Sequence, residues 1–453
     1  MSKLSALLRG SYHPAWRWVA AGLVLVGLVA ATWAFRQTAK SSAVSDPAAI
    51  VYSDAPQTAS QTDSLIASLQ KRLTQYPDDY PSYTLLGAAY LQKVRETADP
   101  AYYTRADAVL HEAASRLPAD PDTLTTLGAL ALERHQFQDG LTYGQAAHAA
   151  NIYNTRALGV IYDGQTELGQ YAAAAQTVQQ MVNMRPDMSS YARVSYAREL
   201  HGDVAGALQA MRLAAQAGGG VPENRAWTLV QVGNLYWLQG NLDDAVTEYN
   251  AALQAMPTNV PAQAGLAHVL ASRGDLKDAI AAYEEVVSLM PMSEYVIALG
   301  DCYMADGQTA ASDRQYALVH VLSQLQQANG VDVDLEITLF GADHPGRLEP
   351  MPATLTRARQ LFTRRPTIYA ADALAWTLYQ TGSYSEARSY SDQALRLNTQ
   401  DPLLWFHAGM IAVRLGDTVT ARQDLQHALD INPHFSLLWS PVARQTLDGL
   451  PVE

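Results

Sequence analysis

Val230–Pro257 reads VQVGNLYWLQGNLDDAVTEYNAALQAMP, and this stretch decides the fold. Apolar residues recur every three or four positions on both sides of Gly240, the mark of two amphipathic helices joined by a turn. Gly233 has no side chain to hold the helices apart, and Gly240 suits the turn because glycine tolerates positive φ. Asn241 or Asp243 is placed to cap the second helix. Ala245 is small where the helices cross, Tyr249 and Leu253 fill the space towards the next pair, and Pro257 stops the second helix.

The pattern returns along the chain. Gly240, Ala245, Tyr249, Ala252 and Pro257 are followed 34 residues later by Gly274, Ala279, Tyr283, Val286 and Pro291. Gly307 and Tyr316 follow at a spacing of 33, and Gly382, Ala387 and Ala394 recur as Gly416, Ala421 and Ala428. A helical pair of this size leaves an apolar face that only its neighbour can cover, so several pairs must stack. Ten repeats begin near Tyr80, Asp122, Thr155, Ser189, Ala226, Val260, Glu294, Asp332, Thr367 and Pro402. Asp63–Gln75 and Ser436–Asp448 read as capping helices. Two irregularities are expected: the insertion KVRETADP in the first repeat, and a long helix Ser312–Asn329 followed by a loop Gly341–Pro352.

Outward from the repeats, charge divides the chain. The net charge is −13, from 31 Lys+Arg and 44 Asp+Glu. Five of the bases (Lys3, Arg9, Arg17, Arg36, Lys40) fall in residues 1–40, which hold no acid, so the remainder carries −18. Such acidity excludes a general nucleic-acid binder. Residues 1–17 form a short basic segment, and 18–35 an apolar run from Trp18 to Phe35. At 1.5 Å per residue that run spans roughly 27 Å, the length of a single transmembrane helix. A cleaved leader needs a shorter apolar core and a nearby small-x-small site; Arg36 and Lys40 follow this one instead. Three bases precede the run and two follow it, which leans towards an external C-terminal body. Residues 36–58, with SSAVSDPAAIVYSDAPQT at 41–58, read as a flexible linker, and 59–450 as one solenoid.

Chemistry-bearing motifs are sparse. The single Cys302 can form no intramolecular disulfide. Gly159–Thr166 imitates a phosphate-binding loop but has Gln165 where the lysine belongs. His111-Glu112 opens like a zinc-protease motif, yet position 115 is Ser. Asp332, Asp334, Glu336, Asp343 and His344 form the best metal-like cluster, but the stronger reading is that Asp332 or Asp334 caps a helix with Glu336 in its first turn, which Asp343-His344 ends before Pro345.

The segments LGAAYLQKVRETADPAYY, SYARVSYARELHGD, VGNLYWLQGNLDDAVTEY, EYVIALGDCY, YAADALAWTLYQTGSYSEA and FHAGMIAVRLGD resemble bacterial membrane-anchored tetratricopeptide repeat proteins. The resemblance implies an all-α, right-handed tetratricopeptide-type solenoid, acting as a non-catalytic protein–protein scaffold without cofactor or small-molecule substrate. It further implies that the first helix of each repeat lines the inner surface through slots 2, 5, 9 and 12. Those slots hold Trp227, Val230, Asn234 and Trp237 in the fifth repeat and His268 in the sixth. They hold Asp301 in the seventh, and Tyr369, Asp372, Trp376 and Tyr379 in the ninth. Asn234 lacks the basic neighbours of a carboxylate clamp. The groove offers aromatic shelves with acids between them, suited to a peptide with apolar anchors and basic flanks; packing between repeats is the competing role for the same aromatics. The expected protein is an anchored scaffold outside the inner membrane, organising an envelope complex. A cytoplasm-facing adaptor is the alternative, with metal handling at Asp343/His344 or a repeat-bearing transferase further behind.

Overall fold

The computed structural model describes residues 59–451 apart from Gly219. The chain divides into the units 1–50 and 51–453. The apolar run 18–35 and the linker 36–58 lie outside the described residues. Among the described residues every regular element is a helix, 22 in all. A capping helix α1 (Ala59–Gln75) precedes ten pairs. Repeats one to three are α2 (Tyr80–Thr97) with α3 (Ala101–Arg116), α4 (Pro121–Glu133) with α5 (Phe137–Ala150), and α6 (Thr155–Glu167) with α7 (Tyr171–Met184). Repeats four to six are α8 (Met188–Leu200) with α9 (Val204–Ala217), α10 (Pro222–Leu238) with α11 (Leu242–Ala255), and α12 (Val260–Arg273) with α13 (Leu276–Leu289). Repeats seven and eight are α14 (Ser293–Ala305) with α15 (Thr309–Ala328), and α16 (Asp334–Asp343) with α17 (Met351–Arg364). Repeats nine and ten are α18 (Ile368–Gln380) with α19 (Tyr384–Ala394), and α20 (Pro402–Leu415) with α21 (Thr418–Ile431); α22 (Trp439–Gly449) closes the array.

In six of the ten pairs the first helix, helix A, starts on a polar side chain that satisfies an orphan N–H. Asp120, Asn154, Asp187, Asn259, Thr367 and Asp401 each accept such a bond. Asn241 occupies the N-cap of α11 but makes no side-chain cap bond, so neither it nor Asp243 plays the expected role. Within a pair, helices close over small residues. A Cβ on Gly233 or on Gly265 would lie 2.5 Å from Tyr249, which is therefore clasped between two repeats. Gly300 stands in the same relation to Tyr316.

Every A-to-B turn carries one residue with positive φ: Ala98, His135, Gly169, Gly202, Gly240, Gly274, Gly307, Gly346, Gly382 and Gly416. The insertion KVRETADP does not loop out; it extends α2 through Thr97 and sets Ala98 against the buried cluster of Ala264, Val286, Met290 and Tyr295 of later repeats. The eighth repeat's loop is shorter than expected, because α16 runs to Asp343 and α17 starts at Met351.

Along most of the array each helix A packs on the next helix A, whereas successive B helices lack comparable contact. The A helices therefore take the inner side of the curve. The repeats coil far enough to meet themselves. His135 Nδ1 donates to Asp332 O at 2.7 Å, and Gln136 Nε2 to Gly330 O at 3.0 Å. Arg365 reaches Glu167 O at 3.2 Å and its carboxylate at 2.5 Å, with the guanidinium 4.1 Å from the Phe137 ring centre. Ile368 N donates to Tyr171 Oη at 2.9 Å, and Asn432 Nδ2 to Trp237 O at 2.8 Å. These partners are 194 to 198 residues apart. The seam thus recurs every six or so repeats of ~34 residues, and it joins the A–B turns of the first coil to the inter-repeat turns of the second.

Candidate functional site

Trp227 on α10 is the most exposed of the aromatic residues expected at the inner slots. Trp227 is 42% exposed and Asn234, two turns on, is exposed as well. Asn234 is held from behind, its Oδ1 accepting from Tyr249 Oη at 2.8 Å. Asp301 repeats the arrangement two repeats later, accepting from Tyr316 Oη at 2.7 Å. The residue at slot 9 of the repeat is thus oriented by a tyrosine 15 residues further on, on helix B.

Trp237 and His268, from the inner slots of adjacent repeats, come together in the structure. Their rings stack at 4.0 Å, and Trp237 Nε1 donates to Ser272 Oγ at 2.9 Å. Burial lowers the His268 pKa to about 4, so this imidazole is neutral at pH 7 and presents an aromatic face rather than a charge. Burial raises Asp301 to about 7; the Tyr316 bond opposes that shift and nearby Asp343 adds to it. His344 Nε2 stands 3.3 Å from Asp301, itself lowered to about 4 by burial. Glu294 is exposed at the start of α14, and its carboxyl is raised, first by desolvation. The strip from Trp227 to Asp301 is therefore aromatic and acid-lined, and Arg225 is the exposed base at its entrance.

The ninth repeat corrects three expectations. Trp376 is 1% exposed and Asp372 2% exposed, so neither can meet a partner. Trp376 is sandwiched between Tyr379 at 4.5 Å and His407 at 4.1 Å, with its indole N–H on Asp343 Oδ1 at 3.0 Å. Trp439 of the closing helix donates to the same oxygen at 3.0 Å, and Asp372 accepts from His407 Nδ1 at 3.0 Å. Tyr369 packs with Tyr171, Leu200 and Ile368 across the seam rather than lining an open shelf. Tyr379 remains half-buried at the edge of the stack.

The metal-like cluster is pulled apart by arginines. Asp334 pairs with Arg357 at 3.2 Å and with Arg364, and Asp332 with Arg364 at 3.2 Å. Asp343 faces two indoles and His344 faces Asp301, on a different side of the helix end. Asp332 Oδ1 accepts from Asp334 N at 2.9 Å, but the N-cap of α16 is Val333 and no side chain caps the helix, so neither aspartate plays the capping role weighed from sequence. Gly159–Thr166 lies inside α6, with no strand before it. Sequence reasoning missed Asp343 as a double indole acceptor and the Asp372–His407 pair; an acid and an imidazole 35 residues apart, one position off the 34-residue period, were the available signal.

Residues 236–298 and, separately, residues 373–434 match the tetratricopeptide repeat family. No curated protein matches the chain. Among solved structures, a human IFIT1 dimer with PPP-AAAA is similar at 14% identity and a TM-score of 0.47, covering 75% of this chain and 79% of that one. TTC0263, a thermophilic tetratricopeptide protein of Thermus thermophilus, is similar at 18% identity and a TM-score of 0.38, over 42% of this chain and 98% of that one. The two matched stretches are tetratricopeptide repeats, and the described residues form an all-helical solenoid of that type.

Proposed function

We propose that this protein is a non-catalytic scaffold that holds a peptide segment of a partner protein along the inner strip of repeats five to seven. The observation that carries the reading is the solvent-open Trp227 on the same helix as the stacked Trp237–His268 shelf, with Glu294 and Asp301 on the A helix two repeats on. Aromatic anchors in a concave surface supply affinity, and the acids select basic flanks. A phosphate-rich ligand would meet carboxylates on the same strip, which argues against nucleic acid. Trp227→Ala with Trp237→Ala is expected to weaken a captured partner by on the order of 2 kcal/mol or more. Isothermal titration of that partner against both variants checks it, and unchanged affinity would remove the strip from the function.

We further propose that residues 18–35 anchor the chain in the inner membrane with the repeats outside, where they organise an envelope complex. The basic flanks suit anionic headgroups, while the −18 remainder is repelled from them, so the linker holds the solenoid off the surface. A phosphatase fused after Glu453 is active under this topology. Activity of a cytoplasmic reporter alone would favour the adaptor reading instead.

A further inference from the structure

Equivalent turns have two different fates in this structure. The A–B glycines Gly169, Gly202 and Gly240 are covered by the second coil: a Cβ on Gly169 would lie 2.6 Å from Pro366 O, and one on Gly202 would collide with Asn398 O. Gly274, Gly307, Gly382 and Gly416 have nearly the same φ, from +75° to +84°, yet nothing lies within 4 Å of the same position. The inter-repeat turns divide in the complementary way. Those of the second coil are sealed in the seam, with Arg365 6%, Thr399 2% and Asn432 0% exposed. Those of the first coil stand open and apolar, with Tyr76 61%, Ile152 57% and Tyr153 80% exposed. Arg185-Pro186 repeats the Arg365-Pro366 pair that docks on Glu167, but Arg185 is exposed and meets only Asp187 at 3.0 Å. Among the described residues the molecule therefore carries both halves of its own seam a second time, with neither covered.

We propose that the open A–B turns of one copy seat the open inter-repeat turns of a second copy, head to tail, continuing the intramolecular seam between molecules. The occupant is this chain itself, because the seam already shows which turn fits which and both kinds remain free on one molecule. The two edges differ, so the contact is heterologous and propagates rather than closing on a two-fold axis.

Sedimentation velocity of the full chain in mild detergent tests this, over a range from about 1 to about 50 µM. The wild type is expected to show a sedimentation coefficient that climbs with concentration. Tyr153→Arg blocks one edge, and Leu415→Arg with Val419→Arg blocks the other; all three side chains are exposed, and far-UV circular dichroism with a melt verifies folding. Each variant alone is expected to raise the association midpoint more than about tenfold. An equal mixture is expected to give a dimer and nothing larger, since each variant keeps the edge the other has lost. A concentration-independent wild type, a single variant that still associates, or a mixture that stays unassociated would each overturn the proposal.

Discussion

The residue with positive φ in each A–B turn sets the angle of a helical pair, and its surroundings set what a substitution does. At Gly416 nothing lies near a new Cβ, so Gly416→Ala costs only the left-handed backbone, about 1–2 kcal/mol. At Gly202 the same backbone cost is joined by a collision with Asn398 O across the seam. Overpacking of that kind adds roughly 1–3 kcal/mol. Gly202→Ala is therefore expected to unfold at clearly lower urea than Gly416→Ala, and equal midpoints would mean that the coils are not in contact. Ala98 and His135 occupy the same backbone position without being glycine, and both are tied to the second coil, Ala98 by apolar packing and His135 by its bond to Asp332 O. Strain of this kind persists where the surroundings over-determine the conformation.

At the scale of the helix, most of the fold was legible in the sequence. Ten expected repeat starts fall within four residues of ten helix A starts, because small residues at crossings, turn glycines and polar caps each repeat with the helical pair. The long α15 and both capping helices were legible for the same reason. The seam was not. Arg365 and Glu167 are 198 residues apart, and a period of 34 carries no information about which turns meet after a full coil. Exposure was legible where one repeat determines it: that Trp227 and Asn234 are open to solvent follows from the helical face alone. Trp376 was misjudged because a slot number gives a face but not what covers it, and here the closing helix brings Trp439 onto the same aspartate. Removing that shared acceptor with Asp343→Leu strands the indole N–H of the buried Trp376, at about 1–3 kcal/mol, and leaves that of the half-buried Trp439 without its partner. The melting temperature should fall sharply, whereas Asp343→Asn, which keeps an acceptor, should lose much less.

For the whole molecule, burial of acids makes stability depend on pH in an unusual sense. Desolvation raises Glu199 and Asp301 to about 7, and Asp343, Asp401 and Asp424 to about 6. Unfolded carboxyls release their protons near 4. Between those values the folded chain binds more protons than the unfolded one, so stability falls as pH rises through the window. His268 and His344, lowered to about 4, act in the opposite direction, but two groups oppose five. The melting temperature is expected to be higher near pH 5.5 than near pH 8, and the reverse order would show that these acids are not buried as described. The central functional claim is that the inner strip, and not the outer wall, receives the partner. Site-specific photo-crosslinking in cells tests it most directly, with the probe at Trp227 or Asn234 on α10 and, as control, at the exposed Glu285 on α13. Discrete protein adducts from the two α10 positions and none from Glu285 is the expected result; adducts from Glu285 with silence at Trp227 and Asn234 would contradict it.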